Sequence, residues 1–465
     1  MSGWRLALGL GTCLLLGQMA IEPASAGSSF ATLYRFQGLQ HGDGSLPLGL
    51  LVRDRAGVIY GTTKYGGLGS SYCGTGFAGF DGCGTVFRIA PPRNGGKTWH
   101  ESVIYRFQGL TNGATDGTEP EGGVIRGPAG LLYGTTLFGG SAGNGTVFML
   151  APPASGKGPW SESVLYSFQG GSDGEEPIAG LTFGPTGTLY GTTIIGGSGL
   201  SCSNCGTVFQ LVLANGTWTE SVIHAFNGNS DGQDPRGPVT VDKSGAILGL
   251  TFFGGDYDRG TAFKLVNSGG NWNSTAIYQF PGYLWSANPN LGALFPLKSG
   301  TFVGLSEEGG DQACGGCGTV FTVAPPSATV DHWVYQVIHR FHGGGDGAFP
   351  QAGLVMDKAG ALYGATSAGG SDSGCSGGVG GTQPEPAVGI GLSGCGTIFK
   401  LIPPRNGKGP WPETVLHHFT GGIDGSEPQA TLLIDDKGVL FGTTISGGLS
   451  CPQDAGCGTV FMLKP

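Results

Sequence analysis

The chain has 465 residues, of which 95 are glycine and only 12% are charged, with a net charge of −9. Glycine is therefore about a fifth of the chain against roughly 7% ordinarily, but it does not recur every third residue, so collagen is excluded. A hydrophobic share of 39% with 25 Phe excludes a disordered chain, and the acidic balance leaves no basic footprint for nucleic acid.

Residues 1–26 read as a secretory signal peptide. Arg5 supplies the charged start, Leu6 to Ala20 the apolar run, and Ala24-Ser25-Ala26 an A-x-A cleavage site. The mature chain is expected to begin near Gly27. The run is short for a transmembrane anchor, which needs about 20 residues. A lipoprotein reading through Cys13 would ignore the better cleavage site. No later stretch could span a membrane, so the mature protein is expected to be secreted, periplasmic or on the cell surface.

From residue 30 onward the chain repeats. An aromatic or aliphatic residue precedes GTT or a variant, then GG, a loop and GTVF. The phrase begins at Tyr60, Tyr133, Tyr190, Leu248, Val303, Tyr363 and Phe441. A second phrase of the kind LYRF ends at Phe36, Phe107, Phe168, Phe226, Phe280, Phe341 and Phe419. Both occur seven times. The second unit shows four short strands: GGVIRG from Gly122, LLYGTT from Leu131, GTVFML from Gly145 and SVLYSF from Ser163. Asp-to-Gly turns at Asp242, Asp357 and Asp436 join the first two strands elsewhere.

Four strands in each of seven units predict an all-β fold, a seven-bladed β-propeller of four-stranded antiparallel blades. Name the strands A to D from the axis outward. The chain then starts with an orphan D strand, Ala31 to Phe36, and ends with A, B and C of blade seven. The N-terminal strand is expected to complete that blade and close the ring, leaving no open seam. Residues 27–465 form one domain on this reading. Tandem small sandwiches are the rival, but about 60 glycine-rich residues would struggle to build a core each. The YGTT glycine and the GG pair fit tight turns and close backbone approach.

Beyond Cys13, ten cysteines fall into five local pairs: Cys73 with Cys83, Cys202 with Cys205, Cys314 with Cys317, Cys375 with Cys395, and Cys451 with Cys457. All lie in B–C loops of 7 to 25 residues, and the two four-residue loops carry none. This all-or-none pattern predicts disulfides in an exported protein. Zinc or redox use of the C-x-x-C spacings at Cys202 and Cys314 lacks the surroundings it needs, so no metal is assigned to them.

The YGTT, GG, GTVF and DGxxP phrases resemble the GloVer tandem-repeat family of exported bacterial choice-of-anchor proteins, over residues 30–465. The resemblance implies extracellular repeats of undefined activity, often with a C-terminal sorting or anchoring segment. This chain departs there by ending inside its last strand. The resemblance implies no catalytic residue.

The D–A and B–C loops emerge on one face. That face carries DGxxP at Asp116, Asp173, Asp231, Asp346 and Asp424, with Asp43 as a variant. Repeated Asp-Gly turns account for the phrase, so no cofactor is assigned, although a ring of such carboxylates could bind calcium or a cationic or sugar ligand. A site is better sought where the repeat fails. Asp256, Tyr257 and Asp258 replace the blade-four staple, Tyr283 and Trp285 replace the next DGxxP, and Glu307, Glu308 and Asp311 follow in blade five. Carboxylates beside aromatic rings suit carbohydrate. His224, His339 and His417 occupy D-strand positions and read as structural. The expected function is a non-catalytic binding or adhesion scaffold whose partner is an extracellular glycan or a protein surface. The alternative is a carbohydrate-active enzyme using two of these carboxylates as acid and base.

Overall fold

The YGTT and GTVF phrases become the two central strands of every blade, because their alternating small and apolar residues are covered on both faces by neighbouring blades. In the computed structural model the described residues are 28–465 apart from 39–40, 68–72, 74–81, 94–95, 110–115, 200, 283–287, 290–291, 371–374, 376–393, 406–408 and 449–455. Residues 1–26, expected from the sequence to be a signal peptide, lie outside them.

Seven four-stranded antiparallel sheets form the ring. Blade two shows the plan: Val124–Arg126, Leu132–Thr136, Thr146–Ala151 and Ser161–Ser167, paired in that order. Inner strands have two or three residues and outer strands six to nine. Every C–D pairing carries a bulge at the same place, as between Val147 and Phe148. A bulge increases local twist, and its sevenfold repetition marks it as part of the blade.

The core sits between blades. The LYRF phenylalanine of one blade meets the GTVF phenylalanine of the next edge to face. Phe107 lies 5.1 Å from Phe148, and Phe168 lies 5.1 Å from Phe209. The YGTT glycine stands opposite that GTVF ring. A Cβ on Gly134 would lie 2.6 Å from Phe148 Cζ. The close neighbour the sequence reading expected is thus first a cross-strand ring, and only second a backbone. The GG pair does meet backbone: Gly66, at φ +87°, would place a Cβ 2.6 Å from the Cα of Gly44. Buried hydroxyls pair beside these contacts, Thr63 with Thr85 and Thr136 with Thr146 at 2.8 Å. This satisfies polar groups that burial would otherwise penalise.

The ring closes as the repeat phase predicts. Ser29–Arg35 pairs antiparallel with Thr459–Lys464, completing the sheet of Leu440–Thr444 and Leu433–Ile434. Phe36 N–H then donates to the Gly458 carbonyl at 3.0 Å. Asp54, Asp242 and Asp357 each accept two backbone N–H groups in the A–B turns. In blade seven the capping residue is Asp435, one position before the Asp436 read from the sequence.

Four disulfides join described residues: Cys73–Cys83, Cys202–Cys205, Cys314–Cys317 and Cys375–Cys395. Cys451 lies outside the described residues, while Cys457 is disulfide-bonded. Disulfides of this density fit an oxidising compartment. Among the described residues no helix is long and apolar enough to cross a membrane.

Candidate functional site

The D–A and B–C loops share a face whose backbone is clipped blade to blade. The residue before Pro in DGxxP, and before the corresponding Pro289 where blade five lacks the phrase, adopts a positive φ in all seven blades: Leu46, Glu119, Glu176, Asp234, Asn288, Phe349 and Glu427, at 52° to 60°. Its N–H donates backward to the residue before GTVF of the preceding blade. Glu119 reaches the Cys83 carbonyl at 3.0 Å, and Leu46 reaches Cys457 at 3.2 Å across the closing seam. Its carbonyl accepts from the residue after the B strand of its own blade, as Leu137 donates to Glu119 at 3.1 Å. A left-handed backbone costs a non-glycine residue energy, and here these two bonds hold it.

Among the described residues, side chains two positions on, Leu48, Glu121, Ile178, Arg236 and Gln429, converge on one central hollow. Lys64 forms ion pairs with Glu119 (3.3 Å) and Glu121, and Arg236 with Asp234 at 2.7 Å. Burial pushes the Glu427 carboxyl up to about 7. The hollow has a volume of about 50 Å³. That is room for water molecules and too little for a sugar ring. This ring is not among the candidates read from the sequence. Its signal was present, since the position before Pro varies between Leu, Phe, Asn and acids while the Pro itself recurs in every unit.

The DGxxP aspartates are bound into their own loops. Asp43, Asp116 and Asp173 each accept a backbone N–H and a tyrosine hydroxyl, from Tyr34, Tyr105 and Tyr166 at 2.7 Å. His224 and His417 replace the tyrosine against Asp231 and Asp424 at 3.2 Å. Each of these histidines is thereby tied to the aspartate of the following D–A loop.

A glutamate of the next blade's D strand joins the set at three seams. Glu101 follows Tyr34 and Asp43, Glu162 follows Tyr105 and Asp116, and Glu220 follows Tyr166 and Asp173. Burial, then the neighbouring aspartate, raises Glu101 and Glu162 to about 7 and Glu220 to about 8. At the blade five and six seam, Glu413 is raised to about 8 by burial and Asp346, and burial lowers His339 to about 4. At the seam between blades four and five the D–A aspartate is missing, and the seam is instead a stack of Tyr278 on Tyr335 at 4.1 Å. The sequence shows each glutamate four residues before a Tyr or His, but its partners lie one blade back.

The candidates at blades four and five separate. Asp256 and Tyr257 are exposed at the tip of the short loop, Tyr257 by 60%. Asp258 is also exposed, but it folds back to accept the Gly254 N–H at 2.9 Å. Glu307 is only 6% exposed and accepts from Gln351 at 2.7 Å, toward the axis. Glu308 lies between. Burial raises its carboxyl, Arg259 opposes the rise, and its Oε2 has no hydrogen-bond partner. Asp311 is held at the rim by His342 Nδ1 at 2.7 Å. Tyr283 and Trp285 lie outside the described residues.

The model of the Gloeobacter/Verrucomicrobia repeat matches residues 68–221 and 198–388. No curated protein matches the chain. Among solved structures, a protein of unknown function from Dyadobacter fermentans is 11% identical with a TM-score of 0.44. It covers 94% of this chain and 99% of its own. Trypanosoma rangeli sialidase is 11% identical with a TM-score of 0.41, covering 94% of this chain and 59% of its own. At these values the propeller assignment rests on the chain's own sheets.

Proposed function

We propose that this chain, which belongs to the Gloeobacter/Verrucomicrobia repeat family, is an exported, non-catalytic scaffold that binds an extracellular glycan or protein surface through its D–A and B–C loop face. The observation that carries this reading is the sevenfold backbone clip on that face. It holds every loop base in one frame, while B–C loops vary from 4 to 25 residues and differ in chemistry. Variable loops on a rigid frame are where recognition is placed.

Within the face, Tyr257 is the anchor. It is exposed, rigidly based, and flanked by the exposed Asp256 and Asp258. An aromatic ring can stack on a sugar face while carboxylates accept its hydroxyls. A carbohydrate-active enzyme is the second reading, favoured by Glu308, whose raised and half-unpartnered carboxyl suits a general acid.

The test is a glycan array beside a pull-down from the native extracellular milieu, with wild-type protein and the Tyr257→Ala and Asp256→Asn variants. Binding that drops at least tenfold in Tyr257→Ala supports the scaffold reading. Glycan turnover abolished by Glu308→Gln overturns it in favour of the enzyme. Binding that both loop variants leave unchanged removes Tyr257 as the anchor.

A further inference from the structure

Seven blade seams place the same D-strand positions opposite each other at the outer rim, and their occupants differ. Three seams bring together Tyr, Asp and Glu. At the seams of His224 and His417 the strand position that carries the glutamate elsewhere is Ser274 and Phe30, and Phe30 stacks on His417. Only the seam between blades five and six, among the described residues, brings a histidine to both an aspartate and a glutamate: His339, Asp346 and Glu413.

That set is left open in a way the others are not. At the two other histidine seams the imidazole bonds its aspartate. Here His339 Nε2 is buried without a hydrogen-bond partner and sits 3.5 Å from a Glu413 oxygen. Asp346 is held through Oδ2 by the His342 N–H at 3.0 Å, which leaves its buried Oδ1 unpartnered. Glu413 Oε1 is buried and unpartnered as well. One ligand atom from each residue lies within 4.8 Å of the others.

From this geometry we infer that His339, Asp346 and Glu413 form a binding site for one divalent first-row transition-metal ion, with zinc as its representative. One imidazole nitrogen and two carboxylate oxygens with an open fourth position is a zinc-type donor set. Calcium would want six to eight oxygens. Ligand atoms on a tetrahedral zinc lie roughly 3.4 Å apart for bonds of about 2.1 Å. The His339 to Glu413 spacing of 3.5 Å already meets this, and the Asp346 oxygen, within 4.8 Å of both, needs to close by at most roughly 1.4 Å. The His342 backbone bond to the other aspartate oxygen fixes that arm as outer partners of metal ligands do. The bound ion would join the D–A loop of blade five to the outer strand of blade six. This inference is independent of the ligand-binding reading above.

The test uses the oxidised mature protein, dialysed against chelator and then titrated with zinc chloride by calorimetry, with bound metal counted by atomic absorption. One equivalent is expected, with a rise in melting temperature. His339→Tyr installs the side chain that three other seams carry between Asp and Glu, so the fold is expected to persist while affinity falls at least tenfold. Glu413→Gln keeps the shape of the seam and is expected to lose affinity similarly, which decides the matter should the tyrosine variant not fold. His332→Ala, at an exposed histidine elsewhere, is expected to bind as wild type. No saturable zinc in the wild type, or equal zinc in the Glu413→Gln protein, would overturn the site.

Discussion

The N–H of Glu119 donates to the carbonyl of Cys83 across the seam between blades two and one, and Glu119 holds a φ of 58° to do so. The same bond recurs at all seven seams, so one strained residue per blade links the loop bases into a ring. The cost of that backbone gives the first test. Glu176→Val retains the N–H and C=O but adds a β-branched side chain at positive φ. It is expected to destabilise by about 1–2 kcal/mol. Glu176→Gly keeps both bonds without strain and is expected to be neutral or slightly stabilising. Urea unfolding of the two variants checks this, and equal losses would contradict the assignment.

Gly134 makes room for Phe148, not for a turn. Gly134→Ala would place a Cβ 2.6 Å from that ring and is expected to cost about 1–3 kcal/mol through overpacking. Phe148→Leu costs stability alone, but the double variant is expected to lose less than the sum, because the two act on one contact. Additive losses in a double-mutant cycle would show that the contact is unimportant.

The rim glutamates set a pH dependence. Glu101 and Glu162 are raised to about 7 and Glu220 to about 8 in the folded chain. Between the ordinary carboxylate range and these values the folded state binds more protons than the unfolded one, so stability falls as pH rises through that window. Asp231 behaves oppositely. Burial pushes it up, but the His224 and Asn227 hydrogen bonds outweigh this and leave it lowered. Its contribution is lost only as pH falls below the usual aspartate range. The melting temperature is therefore expected to be higher near pH 5 than near pH 8. The Glu162→Gln and Glu220→Gln pair should flatten that decline. A melting temperature that climbs from pH 5 to 8 would contradict these shifts.

Much of the fold was legible because the repeat writes it seven times. The phase of LYRF against GTVF gave blade number, strand order and the closing strand, and Ser29–Arg35 takes that place. Cysteines at loop ends were legible for the same reason. The site was less so. Glu307, Glu308 and Asp311 read as one group in the sequence, but Glu307 leaves the end of the B strand toward Gln351, whereas Asp311, four residues further along the B–C loop, turns to His342. The rim seams were hidden because Tyr105, Asp116 and Glu162 span two blades. Their pairing follows from blade packing, which no local pattern encodes.

Closure by the N-terminal strand underlies the whole ring and is the most direct thing to measure. Phe36 is fully buried against Phe87 of blade one, and Leu46 carries the seam clip to Cys457. Loss of such a buried phenylalanine alone costs about 3–5 kcal/mol. A chain starting at residue 41 should be compared with one starting at residue 27 by thermal unfolding. The expected result is one cooperative transition shifted down by several degrees or more, or failure to fold. Superimposable melting curves would contradict a ring closed by this strand.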